Sequence, residues 1–356
     1  MLSLLMSIKN IFSFAASIIS LVILILFLSL NSKADNNNIK YYSKDEGILS
    51  LMYHRFNENK YPSTNIQMEV FVKQIEMIKN SNYEFYDIQK FIDNFNEPKK
   101  EKKILITIDD AFSSFYEIAW PFLKENKIPF ILFVSTEPVG NNGYMTWDQI
   151  REVEKESFAY IGHHSHTHDY LIEKSDEEFI NDIKIASKFF LKELGYIPNL
   201  FSYPFGEYSK FMKDYVAENF SFAFGQHSGV IDLNKDKFEL PRFPINENYG
   251  ELNRFKSIIN FFPLEYKNLI PEEKKLTKAN NPPEFQVEFF ENQKNLDNIN
   301  CYSNEGNAWE KSNFNFLNNK LTIKFREAFT PRRGRVNCSL NDDGKWRWFG
   351  VQFVVQ

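Results

Sequence analysis

Four of the six histidines in this chain lie between His163 and His168, in the stretch YIGHHSHTHDYL. His164 and His168 are four apart, so they share a face on a helix and also on an extended segment. His166 joins them only where the chain is extended. Two neutral imidazoles and one carboxylate, with a position left for water, form a familiar catalytic zinc shell. A His-x-x-x-His spacing arises often by chance, so the pair gains meaning only from a carboxylate brought beside it. KKILITIDDAF offers Asp109 and Asp110 at the point where a continuous apolar run stops. Neighbours on a continuing strand point to opposite faces. Both carboxylates therefore reach one site only if the backbone bends, which the small Ala111 permits. The competing use of an Asp-Asp pair is to cap a helix starting near Ser113, a task for which Asp is well suited.

The elements that must position these residues alternate. GILSLMYHRF (47–56) reads as a strand ending at His54, and Val70, Phe71, Ile75 and Ile78 recur at helical spacing after it. KKILITIDDAF is a short apolar run of the kind expected for a strand covered on both faces. SSFYEIAWPFLKENKIPFILFVS reads as helix, turn and strand, SFAYIGHH as another strand, and DEEFINDIKIASKFFLKELGY as an amphipathic helix ending near Gly195. NLFSYPFG and SFAFGQHSG read as further strand ends. Strands and helices in this rhythm predict an α/β domain with a parallel sheet, open or closed into a barrel. Ligands in such folds gather at the carboxyl ends of the strands, which is where the aspartates and the histidines both fall.

TIDDA, HSHTH and YPFG, in that order, resemble the first three motifs of the polysaccharide deacetylase family, carbohydrate esterase family four. LMYHRF, LKENKIPFILFVST, MTWDQI and LPRFPI agree with it, and the resemblance covers 47–262. The layout is similar to the branch that deacetylates exopolysaccharides such as poly-N-acetylglucosamine. The resemblance implies a distorted (β/α) barrel and a hydrolase that removes N-acetyl groups from N-acetylhexosamine units of an extracellular or cell-envelope polysaccharide. It makes Asp110, His164 and His168 the ligands of a divalent metal, zinc first, with cobalt, nickel or iron as alternatives. Asp109 becomes the general base for water activated at that metal. The backbone N–H of Phe205, after Pro204, helps hold the tetrahedral oxyanion.

The leaving amine needs a proton donor. The late histidine motif used by much of the family is absent, and the branch resemblance assigns the role to His54 at the end of the first strand, with His227 as competitor. Ala111 stands where the family usually has Gly, and Ile108 where it usually has Phe. Ser202 stands where the third motif usually has an Arg that holds the base, and Arg242 in LPRFPI is the replacement expected to pair with Asp109. His163 is expected to point away from the metal, and His166 to line the site or face solvent. Tyr144, Trp147, Trp346 and Trp348 are read as packing residues, with sugar stacking as the competing use.

From Ile11 to Leu30 the chain carries no charge, enough to cross a hydrocarbon core as a helix. With SKA at 32–34, residues 1–34 read equally as a signal peptide, so both readings expect export to the periplasm, envelope or exterior. A formal net charge of −5 gives no reason to expect a nucleic-acid partner; the expected partner is an acetylated polysaccharide. Residues 263–283 read as a linker and 284–356 as a small all-β domain containing Cys301 and Cys338. An even pair in an exported chain predicts a disulfide. The competing functions are an O-acetyl glycan esterase and a non-catalytic glycan-binding or assembly component that retains the fold. A glycosidase is disfavoured, because adjacent carboxylates do not flank a glycosidic bond.

Overall fold

The computed structural model describes residues 45–97, 101–330 and 332–356; the predicted export segment, 1–34, lies outside them. Six strands, β1 (Ile48–Tyr53), β2 (Lys103–Asp109), β3 (Phe130–Val134), β4 (Ala159–His163), β5 (Leu200–Ser202) and β6 (Phe222–Phe224), lie side by side and parallel. The apolar runs become strands because both faces are covered. Every residue of β1 and β3 is buried, as is all of β2 after Lys103. Leu240 bridges Phe224 of β6, and β7 (Phe243–Pro244) pairs with Leu51 and Met52 of β1. The segment 240–244 thus joins the two edges of the parallel array and curls it into the distorted barrel expected from the sequence.

Helices cover the outside. α1 (Met68–Lys79) buries Phe71, Ile75 and Ile78, three of the four residues whose spacing predicts it. α2 (Trp120–Asn126) follows a π-helical turn over Phe115–Ala119, a local widening invisible to a 3.6-residue period. α3 (Trp147–Glu154) opens on a capping box between Thr146 and Gln149. α4 (Asp176–Leu194) is bounded by a Ser175–Glu178 capping box and by Gly195 at φ 84°, as its serine and glycine predict. At Gly162 of β4 a Cβ would fall 2.3 Å from Phe133 Cδ1, so only glycine lets this strand seat the Phe133 ring beneath the site.

The C-terminal part is all-β, with a six-stranded and a four-stranded sheet around a second apolar core that includes Phe285, Val336 and Phe353. β8 (Ile299–Ser303), β9 (Arg333–Asp342) and β10 (Lys345–Val355) form its spine, and Cys301 and Cys338 face each other across β8 and β9 in a disulfide. Asp343 and Gly344, both at positive φ, make the tight turn between β9 and β10. Two features differ from the sequence expectation. The stretch 263–283 is not a bare linker, because Asn268–Ile270 and Lys275–Leu276 are strands that pair within the two sheets. Their prolines and charges mask a pairing that only the partner strands supply. Nor does the β part stand apart, since Ser43–Gln356 forms one compact unit and Val354 packs in the core beside Phe201 and Val216.

Among the described residues no helix is long and apolar enough to cross a membrane.

Candidate active site

β2 ends with Asp109 fully buried, and the next two residues turn left-handed, Asp110 at φ 76° and Ala111 at φ 53°. That is the bend two neighbouring carboxylates need to share a site. Asp109 Oδ2 and Asp110 Oδ1 both approach His164 Nε2, at 3.9 and 3.4 Å. The helix-capping use is not realised, because the helical turn that follows has Ser114 at its N-cap and no side-chain cap.

The histidine loop follows β4 and closes on the same point. His168 Nε2 lies 3.1 Å from Asp110 Oδ1, and one ligand atom each from Asp110, His164 and His168 falls within 4.8 Å of the others. The Nδ1 of His164 donates to the Ser202 carbonyl at 2.7 Å, which fixes the tautomer and turns the Nε2 lone pair inward. His164 Nε2 and Asp110 Oδ1 are both buried with no hydrogen-bond partner. Native proteins rarely leave such groups unsatisfied. Two orphaned lone pairs facing each other, with His168 alongside, are the donor set a divalent cation satisfies, so the residues fit a metal.

The other two histidines take different paths. His163 is fully buried, its ring packed among Phe190, Phe201 and Phe220. Burial drives its pKa down to about 3, so it is a neutral core residue that accepts from the Ser165 N–H. His166 bonds Thr136 Oγ1 through Nδ1 and stacks on Phe189, away from the ligand cluster. Asp182 of α4 was not legible as a site-supporting residue. It accepts from the backbone N–H of His166 and Thr167 and from the Thr167 hydroxyl, at 2.7 to 3.0 Å. That grip holds the loop in the shape that places Ser165 and His168 at φ 70° and 55°. An acid on the buried side of an amphipathic helix was the only available signal.

Arg242 is fully buried and forks onto Asp109, with NH1 at 2.7 Å from Oδ1 and NH2 at 2.8 Å from Oδ2. Its remaining donors are used as well, on Thr107 Oγ1, the Gly225 carbonyl and Ser202 Oγ. Ser202, a departure from the family pattern, thus makes room for a guanidinium arriving from the segment just before β7 and accepts a bond from it. Burial by itself would raise the Asp109 carboxyl, but Arg242, His164 and His54 outweigh it and hold the group below the ordinary carboxylate range. Asp110 is likewise held well below that range, burial being overcome by His168 and His164.

His54 follows β1, the neighbour of β2, and its Nε2 lies 3.9 Å from Asp109 Oδ2. Burial lowers its pKa and the two aspartates oppose that, so acid and base stand in reach of each other. His227 has burial as its dominant influence, which takes it down to about 4. It is neutral near pH 7 and makes no ion pair with either aspartate.

These groups open into a cleft of ≈ 740 Å³ lined by His54, Asp110, His168 and Phe205. Phe205 sits at φ 58° in the turn after Pro204, with its ring stacked on Tyr170 and its edge toward His168. The C-terminal part holds this turn. Gln352 Nε2 of β10 donates to the carbonyls of Phe205 and Gly206, each at 3.2 Å. Arg332 and Arg333 pair with the buried Glu207. Trp348 stacks on Phe261 and also lines the cleft, whereas Trp346 is 45% exposed. Trp147 packs edge-on against Phe190 and Tyr144 against Phe112.

The family model described as polysaccharide deacetylase matches residues 96–220, so that stretch, from β2 through the third motif, is a polysaccharide deacetylase domain. A poly-beta-1,6-N-acetyl-D-glucosamine N-deacetylase of Staphylococcus aureus (strain MSSA476) is 22% identical over 246 residues, covering 61% of this chain and 85% of that protein. In fold the chain is similar to IcaB from Ammonifex degensii, with a TM-score of 0.54 at 24% identity over 59% of this chain and 96% of that one. It is also similar to the Streptococcus pyogenes deacetylase PplD, with a TM-score of 0.52 at 22% identity over 58% of this chain and 95% of that one.

Proposed function

We propose that this polysaccharide deacetylase domain works as a metal-dependent N-deacetylase on a polysaccharide of N-acetylglucosamine, of the poly-β-1,6 type named for its relatives. The observation that carries the reading is the pair of orphaned buried lone pairs, on His164 Nε2 and Asp110 Oδ1, beside a carboxylate clamped by Arg242. Asp110, His164 and His168 would hold the metal. When bound, it supplies Lewis-acid polarisation of the acetamide carbonyl and lowers the pKa of water.

The chain's own residues do the rest. Asp109, kept ionised and fixed in direction by Arg242, takes a proton from water as the water oxygen adds to the acetyl carbon. The N–H of Phe205 faces the charge that develops on the acetyl oxygen. As the C–N bond breaks, His54 gives a proton to the leaving nitrogen, so that acetate and a free amine result. His54 rests neutral and stands 3.9 Å from Asp109 Oδ2, close enough to collect the proton that the base has taken.

Export across a membrane belongs to the same reading, since the polymer lies outside the cell. Its support is the uncharged run from Ile11 to Leu30. The deciding experiment measures bound metal together with acetate release from poly-β-1,6-N-acetylglucosamine, with and without chelator. Chelator-sensitive release is expected. A chain that binds neither metal nor releases acetate would instead be a glycan-binding component.

A further inference from the structure

Among the described residues every arginine except Arg254 and Arg335 makes an ion pair with an Asp or Glu. These two are both half-buried, and both line the cleft that contains His54, Asp110 and His168. Arg335, on β9, uses Nε on Gln352 Oε1 at 3.3 Å. Arg254, on α5 (Leu252–Ile259), gives NH1 to the Tyr249 carbonyl and lies 5.1 Å from the Tyr249 ring. Their other guanidinium nitrogens make no hydrogen bond to the described protein. A third arginine, Arg333, lines the same cleft with its Nε on Glu207. Among the described residues the only carboxylate in the lining is Asp110, which the proposed metal would neutralise.

A half-buried guanidinium without a counter-charge is unfavourable. Burial does lower the pKa of both groups, and Arg333 adds to the effect on Arg335. The chain has 47 acidic residues and uses them on its other arginines, so two unpaired ones converging on one cleft call for an anion from outside. The fork geometry of guanidinium suits a carboxylate or a phosphate. We infer that Arg254 and Arg335, which line the same cleft, form a subsite for an anionic group carried by the acetylated glycan. The inference rests on the deacetylase activity of that reading but replaces the neutral homopolymer with a polymer bearing carboxylates or phosphodiesters near the N-acetyl group.

The test compares the metal-loaded full chain on three oligomers of similar length. One is neutral β-1,6-linked N-acetylglucosamine, one has alternating N-acetylmuramic acid carboxylates, and one is N-acetylglucosamine joined by phosphodiesters. kcat/KM is expected to be at least about tenfold higher on one of the anionic oligomers than on the neutral one, and to fall as salt is raised. Arg254→Gln should remove that advantage through KM, with less than about a twofold change on the neutral oligomer. Arg335→Gln should also remove the advantage of the anionic oligomer, while Arg335→Lys, which keeps the charge, should retain part of it. Arg254 touches nothing in the Phe205 turn, so its variant separates ligand binding from damage to that turn. Which anionic oligomer shows the advantage identifies the source of the charge. Equal rates on all three, or equal losses on neutral and anionic oligomers, would overturn the inference and leave the deacetylase reading standing. Equilibrium binding of the anionic oligomers to wild type and to Arg254→Gln reads the subsite without turnover. Unchanged affinity would sink it even if no oligomer releases acetate.

Discussion

The barrel and the C-terminal sheets both contain residues at positive φ, and the two sets differ in kind. In the sheets they are Asn295, Gly306, Asn318, Asn319, Asp343 and Gly344, residue types that enter the left-handed region at little cost. At the carboxyl ends of the barrel strands they include Asp110, Ala111, Ser165, His168 and Phe205, where an alanine and a phenylalanine are strained. Buried charge follows the same division. Glu305 is paired by Arg326, and Arg347 by Asp45 and Asp342. The barrel leaves Asp110 Oδ1 and His164 Nε2 without partners. In the sheets these buried charges are paired and the turns are unstrained, whereas the strand ends of the barrel carry strain and unsatisfied charge together, as functional sites do.

The largest test of that contrast removes a group from each region. His164→Ala should abolish metal retention and lower kcat by at least about 10³-fold, the loss of several kcal/mol of transition-state stabilisation. Replacing Cys301 and Cys338 by Ala should lower unfolding free energy by about 3–4 kcal/mol and leave kcat of the folded fraction within about twofold. Metal analysis, turnover and denaturant titration read both. A double Cys variant that loses activity while still folded would erase the division of labour.

Arg242→Gln comes next. It strips a fully buried carboxylate of its counter-charge and should cost about 3–5 kcal/mol. Arg326→Gln should cost about 1–2 kcal/mol, because water reaches that side chain. The pH profile gives a second readout. In the native chain the Asp109 pKa is held down, so activity persists into acid and is lost only as pH falls through that depressed value. Without Arg242 burial dominates and the pKa rises, so the acid limb of kcat/KM should move to higher pH. An unmoved limb in a folded Arg242→Gln enzyme would remove Asp109 from the role of base.

How much of this was legible beforehand depended on distance along the chain. Asp110, His164 and His168 were readable because each lies where an apolar run stops, and strand ends in such folds converge. The bend at Asp110 and Ala111 was readable from the need for two carboxylates in one place. Asp182 beneath the histidine loop, Gln352 behind Phe205 and the strands within 263–283 were not. Each depends on a partner far away in sequence, and local periodicity carries no record of that pairing. Ser202 was legible only as an anomaly; its meaning required Arg242 to arrive from the segment that joins β6 to β1.

Gln352→Ala tests a place where the two regions meet at the site. Loss of both bonds to the Phe205 turn should lower kcat by about tenfold through misplacement of the turn, with KM for a short neutral oligomer little changed. Gln352→Glu, which keeps the acceptor for Arg335 but lacks the amide donors, should behave like the alanine variant. If Gln352→Glu retains full kcat, the sheet strand does not position the turn.

The smallest expected effect is a difference in sign. Ala111 sits at φ 53° and Asn318, in a hairpin of the sheets, at φ 50°. Ala111→Gly relieves a left-handed penalty of about 1–2 kcal/mol, and the extra freedom of the unfolded chain takes back about 0.4–1 kcal/mol. The net is a stabilisation of about 0–1.6 kcal/mol, with catalysis preserved because the bend is kept. Asn318→Gly has little penalty to relieve, so the unfolded-state term decides and the variant should be slightly less stable. Denaturant midpoints at unchanged m-value measure both. Two shifts of the same sign would mean that the strand end at Ala111 carries no more strain than an ordinary hairpin.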